Sequence, residues 1–396
     1  MSTLYAGGKI FDGEATLLED HGLLVEGEAI ARIAPLAEFE GFAGARVDTS
    51  GGTLLPGLID CHVHLNYTAS GDPRGTMDKM GPGQIVLTAL HNAQASLAGG
   101  ITAVRDCGGK DYLEFAVRDA CNNGTFLGPT IRCAGRMICM TGGHGNYVAR
   151  VADGVDEVVK AVREQVHAGS DLVKIMATGG VMTPGVNPQD AHYSAEEMAA
   201  GIAEGHRFHR PCASHAQGRE GIMNAVHGGI DSIEHGIYMD EVCVQAMLER
   251  GTYLVPTLAA IKNIVANADK GVPDYIVNKA RNVEPPHRRS IKMYYEAGGR
   301  IAMGTDAGTP YNTHGQNALE LAYMVDVGLK PIDALKAATA NAADLNRLER
   351  QGRLAEGNLA DLLLVDGDPT EDIAMAAESA NHRRVVKGGV LARERS

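Results

Sequence analysis

The stretch Leu58-Ile-Asp-Cys-His-Val-His-Leu65 reads as a short apolar strand carrying two histidines two positions apart. In a strand, residues i and i+2 face the same side, roughly 6 to 7 Å apart at Cα. The imidazoles of His62 and His64 can therefore reach one ion. The spacing alone does not decide, because two unremarkable histidines produce it just as readily. Its larger value is as the first member of a repeating pattern.

Outward from it, short apolar runs recur at Ala103–Asp106, Ile131–Ala134, Leu172–Met176, Cys212–His215, Ser232–His235, Tyr253–Thr257 and Ile301–Thr305. Runs of this kind suit parallel strands covered on both faces. Amphipathic stretches lie between them, including Gly154–His167, Ala195–His209 and Arg219–His227. Ser194 and Glu197 have the S-x-x-E spacing of a capping box, which marks a helix start. Eight β/α units predict an α/β fold, a (β/α)8 TIM barrel over residues 57–352. A doubly wound sheet is the alternative, but it normally uses fewer strands.

The two ends of the chain read differently. Short strands with turn signals fall at Leu4–Ala6, Gly22–Val25, Ile30–Ile33 and Thr53–Leu55. They return at Asp361–Val365, Arg383–Lys387 and, after the Gly388-Gly389 turn, Val390-Leu391. The expectation is one small β-sandwich domain assembled from residues 1–56 and 353–396.

Further ligand-type side chains sit on the predicted strands. Lys174 interrupts an apolar run, where an amine is costly unless paired or modified. His215 and His235 end the fifth and sixth strands, and Asp306 ends the eighth. Singly, each has an ordinary explanation: a snorkelling lysine, structural histidines, an acid capping a turn. Together with His62 and His64 they all fall at one end of the predicted barrel, where (β/α)8 enzymes build their active sites. Six independent coincidences are a poor explanation, and a metal centre is the better one.

Composition narrows the partners. The 36 basic and 49 acidic residues leave a net charge of −13, which disfavours nucleic acid and anionic membranes. No apolar run approaches the roughly 18 residues of a membrane span, and the start of the chain lacks a signal-peptide pattern. The seven cysteines are odd in number and contain no C-x-x-C pair, so neither a disulfide framework nor thiolate ligation of metal is expected. A reducing cytoplasm fits. For assembly, the expectation is a homo-oligomer. The glycine-rich loops match neither phosphate-loop pattern, and no G-x-S-x-G elbow occurs.

The chain resembles the amidohydrolase superfamily over nearly its whole length. The carrying motifs are Leu55-Pro-Gly-Leu-Ile-Asp-Cys-His-Val-His64, Lys174, His215, Ile233-Glu-His-Gly236 and Gly304-Thr-Asp-Ala-Gly308. The tail Gly352-Arg-Leu-Ala-Glu-Gly-Asn-Leu-Ala-Asp-Leu-Leu-Leu-Val-Asp366 resembles the segment that returns to the β-sandwich in that family. The resemblance implies two divalent metal ions, zinc fitting N/O ligation, bridged by a Lys174 carboxylated with CO2. It places His62, His64, Lys174 and Asp306 on one ion, and Lys174, His215 and His235 on the other. A water between such cations ionises near neutral pH, and Asp306 would serve as general base and then acid.

Two further segments resemble the Xaa-Pro dipeptidase and carboxypeptidase-like (prolidase) branch: Thr141-Gly-Gly-His-Gly145 and Met176-Ala-Thr-Gly-Gly-Val-Met-Thr-Pro-Gly185. By that likeness, His144 and Tyr238 contact a substrate carboxylate; an exposed histidine and a packed tyrosine are the plainer alternative. The implied function is hydrolysis of an amide or peptide bond in a small carboxylate-bearing substrate, an Xaa-Pro dipeptide or N-acyl amino acid. The alternative is a hydrolytic deaminase or a cyclic-amide hydrolase of the imidazolonepropionase kind. Ala216-Gln217-Gly218 after His215 supplies no acid, which disfavours deamination.

Overall fold

In the computed structural model, which describes residues 2–395, the apolar runs become parallel strands. They are β1 (Leu58–Val63), β2 (Ile101–Asp106), β3 (Thr130–Cys133), β4 (Val173–Met176), β5 (Cys212–Ala216), β6 (Ser232–His235) and β7 (Tyr253–Val255). β1 to β3 form one parallel sheet and β4 to β7 lie in a second. Every residue of β1, β2, β4, β5 and β6 is buried, as expected where both faces are covered. Asp171 stitches the sheets together: its N–H donates to Cys133 O at 2.8 Å, and its carboxylate accepts from Cys133 N at 2.9 Å.

Ile301–Thr305, expected as an eighth strand, forms only single-residue bridges, Leu254 to Ile301 and Val63 to Ala307 just beyond it. Its backbone still serves both neighbours. Ala302 N donates to Leu254 O at 3.0 Å, while Cys61 N donates to Met303 O at 2.8 Å. The ladder is broken because the end of the helix Pro331–Ala337 intrudes on it. Met303 N donates to Ala337 O and Ile59 N to Ala338 O, each at 2.8 Å.

The helices between strands begin and end on local chemistry. Ser194 and Glu197 form the expected reciprocal capping box on the helix Ala195–Arg207. That helix stops short of His209, which adopts a left-handed φ of 58° shortly before Pro211.

Both ends of the chain thread the remaining two sheets. One runs Ala29–Pro35, His21–Glu26, Ser2–Ala6, Ala45–Asp48; the other runs Val390–Glu394, His382–Lys387, Leu362–Asp366, Gly52–Pro56, Lys9–Phe11, Leu17–Leu18. Gly52–Pro56 pairs antiparallel with Leu362–Asp366, tying the first segment to the last. Tyr5, Leu23, Val25 and Ile30 of the first sheet share a buried cluster with Ile10, Leu54, Leu362 and Leu364 of the second. The strands Lys9–Phe11, Leu17–Leu18 and Ala45–Asp48 went unanticipated, being very short or largely exposed. Met1 and Ser396, the extremes of the expected terminal domain, lie outside the described residues.

A single residue, Gly57, separates the terminal sheet from β1. A Cβ there would lie 2.2 Å from Thr102, so only glycine permits the approach. All seven cysteines are buried and unpaired. Among the described residues, no helix is long and apolar enough to cross a membrane.

Candidate metal centre

Strand register sets Lys174, His215 and His235, while His62 stands on β1 of the other sheet and His64 and Asp306 just follow β1 and Ile301–Thr305. In register, Lys174 lies opposite Ala213, Met176 opposite His215, and Ala216 opposite His235. Ring centroids stand 5.4 Å apart for His62 and His64, 5.2 Å for His62 and His235, and 4.6 Å for His215 and His235. Asp306 Oδ1 lies 3.5 Å from His62 Nε2 and 3.2 Å from His64 Nε2. His62, His235 and Asp306 can offer donor atoms all within 4.8 Å of one another. His235 and Asp306 take left-handed φ values of 72° and 62°, conformations uncommon outside glycine and found where function holds them.

Each of the four candidate histidines spends one ring N–H on a fixed acceptor. His62 Nδ1 donates to Glu234 Oε2 at 2.8 Å, and His64 Nδ1 to Gly108 O at 2.7 Å. His215 uses the other nitrogen, with Nε2 donating to Gly179 O at 2.9 Å. Thr257 Oγ1 gives its only proton to Pro256 O, so His235 Nδ1 must be the donor in their 2.7 Å contact. For His62, His215 and His235 the remaining nitrogen is thereby left as a lone pair, whereas His64 Nε2 faces Asp306 Oδ1 at 3.2 Å, and that carboxylate outweighs burial and raises His64 above the usual histidine range. Outer partners of this kind fix tautomer and ring orientation in metal sites.

Electrostatics favours the same form. Burial drives His62, His215 and His235 well below the usual histidine range, so they are neutral near pH 7. Burial opposes ionisation of Asp306, yet His62, His64 and Lys174 outweigh it and hold the carboxyl below its ordinary range. Lys174 is 2 % exposed, and its Nζ has no hydrogen-bond acceptor among the described residues. A buried amine without an acceptor is costly unless it is modified or ligated. Imidazole lone pairs, a carboxylate and an unpartnered buried amine together make a donor set that fits divalent cations.

A cleft of about 670 Å³ opens above these residues. Tyr67, Tyr147, Met137, Met176, Val181 and Ile261 give it a largely apolar wall. His144 lines it, its ring 4.5 Å from that of His215 and its Nδ1 2.8 Å from Thr183 Oγ1. Burial pushes His144 down to about 3, with His192 and Lys279 adding to the effect, so the ring is neutral near pH 7. Gly180 makes room for it, since a Cβ there would lie 2.5 Å from His144 Nε2. The loop is clamped by Lys279, whose ammonium donates to the carbonyls of Gly180, Thr183 and Val186. Tyr238 is not part of the lining. It packs half-buried against the cluster that includes Val181, Ile261 and Ile264.

Glu234 and Gln217 were not singled out from sequence. Glu234 is fully buried and accepts from Arg105 Nη2 at 2.7 Å as well as from His62. Its signal was available: an acid inside a buried strand demands a partner. Gln217 lines the cleft with its Oε1 unpartnered among the described residues, and no pattern marked it.

Residues 53–392 match the amidohydrolase family. The chain belongs to that family. This amidohydrolase, a hydrolase of carbon–nitrogen bonds, is 30% identical to ochratoxinase of Aspergillus niger over 424 aligned residues, covering 98% of this chain and 86% of that one. A solved Xaa-Pro dipeptidase with methionine bound in its active site superposes with a TM-score of 0.91 at 32% identity, covering 100% of both chains. A prolidase complexed with N-methylphosphonate-L-proline gives the same TM-score, 0.91, with 32% identity and 100% coverage of both chains. Imidazolonepropionase of Ectopseudomonas mendocina is more distant, at 27% identity over 427 residues, 98% of this chain and 97% of that one.

Proposed function

We propose that this amidohydrolase cleaves the amide bond of a small substrate bearing a terminal carboxylate, an Xaa-Pro dipeptide or N-acyl amino acid. The observation that carries the reading is the Lys174 amine, buried without an acceptor among four histidines and Asp306. Carboxylation by CO2 turns that amine into a bidentate anionic ligand and releases a proton. His62, His64, Lys174 and Asp306 would hold one divalent ion, and Lys174, His215 and His235 the other, with zinc suited to the donors. When bound, the ions supply a polarised water and an electrophile for the scissile carbonyl. The Asp306 carboxylate takes the proton of the attacking water and returns it to the leaving nitrogen.

Carboxylate recognition is assigned to His144 in the cleft, while Tyr238 packs behind the wall and does not reach it. Support comes from the ligands of the two structural neighbours, since methionine and the prolyl analogue both carry an α-carboxylate. The apolar wall suits an uncharged side chain or acyl group. The same reading takes the two parallel sheets and Ile301–Thr305 as one closed (β/α)8 barrel of residues 57–352. It takes 1–56 and 353–396 as the β-sandwich domain, the cell compartment as cytoplasm and the assembly as a homo-oligomer. Opening of a cyclic amide is the second reading, favoured by the imidazolonepropionase likeness.

Two measurements test this. Metal analysis of the purified enzyme is expected to return about two ions per chain, and 13C NMR in labelled bicarbonate to show a carbamate carbon. One ion with an unmodified lysine would sink the binuclear reading. A panel of Xaa-Pro dipeptides, N-acyl amino acids, their amidated analogues and cyclic amides is expected to show preference for the free acids. His144→Ala should erode that preference, and Tyr238→Phe, altering a residue behind the wall, should leave it in place. Equal turnover of acids and amides would remove carboxylate recognition from the account.

A further inference from the structure

A second cleft, of about 480 Å³, opens at the N-terminal ends of the same strands, away from the candidate metal centre. Arg132 of β3 lines it, as do Arg210 just before β5 and Arg347 just after the helix Ala340–Leu345. Arg105 of β2, 2 % exposed, also contributes to the lining. Four arginines lining one cleft call for compensating negative charge, and Glu234 supplies it for Arg105 at 2.7 Å. Asp171 is the single carboxylate in the lining, and it is already shared by Arg132 at 3.3 Å and Arg118 at 3.1 Å.

The other arginines have donors to spare. Arg105 gives one N–H each to Cys61 O, Ser232 Oγ and Glu234 Oε1, which leaves two of its five without an acceptor among the described residues. Arg210 and Arg347 form no ion pair among the described residues, and Arg210 Nε is buried without an acceptor. Arg347 donates to His209 O at 3.0 Å, and both residues hold left-handed φ values, 54° and 58°. The rim is thus kept in an unfavourable backbone conformation around unsatisfied donors.

We propose that this cleft binds inorganic phosphate, or an equivalent tetrahedral oxyanion, on the forks of Arg105, Arg132, Arg210 and Arg347. Guanidinium groups match oxyanions with paired, charge-assisted hydrogen bonds. The site also communicates with the other end of the strands. Arg105 holds Glu234, and Glu234 holds His62, so two contacts separate the anion from the candidate centre.

The test is calorimetric titration of the purified enzyme with inorganic phosphate at fixed ionic strength, alongside thermal unfolding. One saturable event per chain is expected, with a Tm rise that chloride does not reproduce. Arg210→Gln and Arg347→Gln should each weaken binding about ten-fold or more while leaving phosphate-free hydrolysis unchanged. Circular dichroism confirms that these variants fold. Lys174→Ala should keep the event, which separates this site from phosphate bound at the metal centre. Absence of a saturable event, wild-type affinity in both arginine variants, or loss of the event in Lys174→Ala would each overturn the proposal.

Discussion

The two ends of the parallel strands handle charge in opposite ways, with residues only a few positions apart. At the C-terminal ends, burial strips three histidines of their charge and leaves Lys174 without an acceptor. At the N-terminal ends, four arginines that cannot be neutralised line a cleft holding one aspartate, which pairs with Arg132 alone among them. Donors with movable protons suit metal ligation, whereas permanent cations suit anions. The two regimes meet at Glu234, one oxygen accepting from Arg105 and the other from His62. The lower end of the strands is therefore more than ballast, because through Glu234 it orients His62, a candidate ligand of the upper end.

The comparison breaks most visibly at Lys174. Lys174→Ala is expected to lower kcat/KM by roughly three orders of magnitude, with partial rescue by short carboxylic acids that replace the carbamate. An unchanged rate would remove the lysine from the centre. Next comes the residue joining the two ends. Glu234→Gln leaves the buried Arg105 without its counter-ion, so urea unfolding should report a loss of about 3–5 kcal/mol. A loss no larger than that of a surface substitution would mean that the ends are independent. Thr257→Val acts on the upper end alone. It keeps the shape but removes the acceptor of His235 Nδ1, and chelator competition is expected to show metal affinity about ten-fold to a hundred-fold weaker.

What could be read without coordinates divides along the same line. The gathering of His62, His64, Lys174, His215, His235 and Asp306 at one end was legible because such side chains are unusual in and beside buried strands, and a parallel strand pattern tells which end each residue occupies. The place of His144 in the cleft was indicated only by the resemblance of its glycine-flanked loop to one branch of the family. Tyr238 was placed three residues after His235, but spacing along a loop does not say which way a side chain turns, and it packs behind the cleft wall. The strand Ile301–Thr305 was half-legible. Its apolar run is real, yet the helix end that claims Met303 N and Ile59 N comes from more than thirty residues downstream. The arginine cleft was invisible, since Arg105, Arg132, Arg210 and Arg347 share no motif and meet only through strand order.

The smallest expected effect concerns a carboxyl that supports the upper end from outside the ligand set. Glu320 accepts from Leu258 N and Ala259 N, both at 2.7 Å, at the start of the helix Leu258–Ala266 beside Thr257. Burial nevertheless pushes its carboxyl up to about 8, against the pull of those two donors. A group that ionises less readily folded than unfolded contributes stability that is complete below its unfolded range, near 4.5, and lost as pH rises through about 8. Glu320→Gln retains an acceptor for the helix start but has no proton to lose. The Tm of the wild type minus that of Glu320→Gln is therefore expected to fall by a few degrees between about pH 5 and about pH 9. A difference that stays constant, or grows with pH, would show that the two backbone donors outweigh burial and keep Glu320 ionised throughout. The upper end would then be anchored by a permanent charge, as the lower end is.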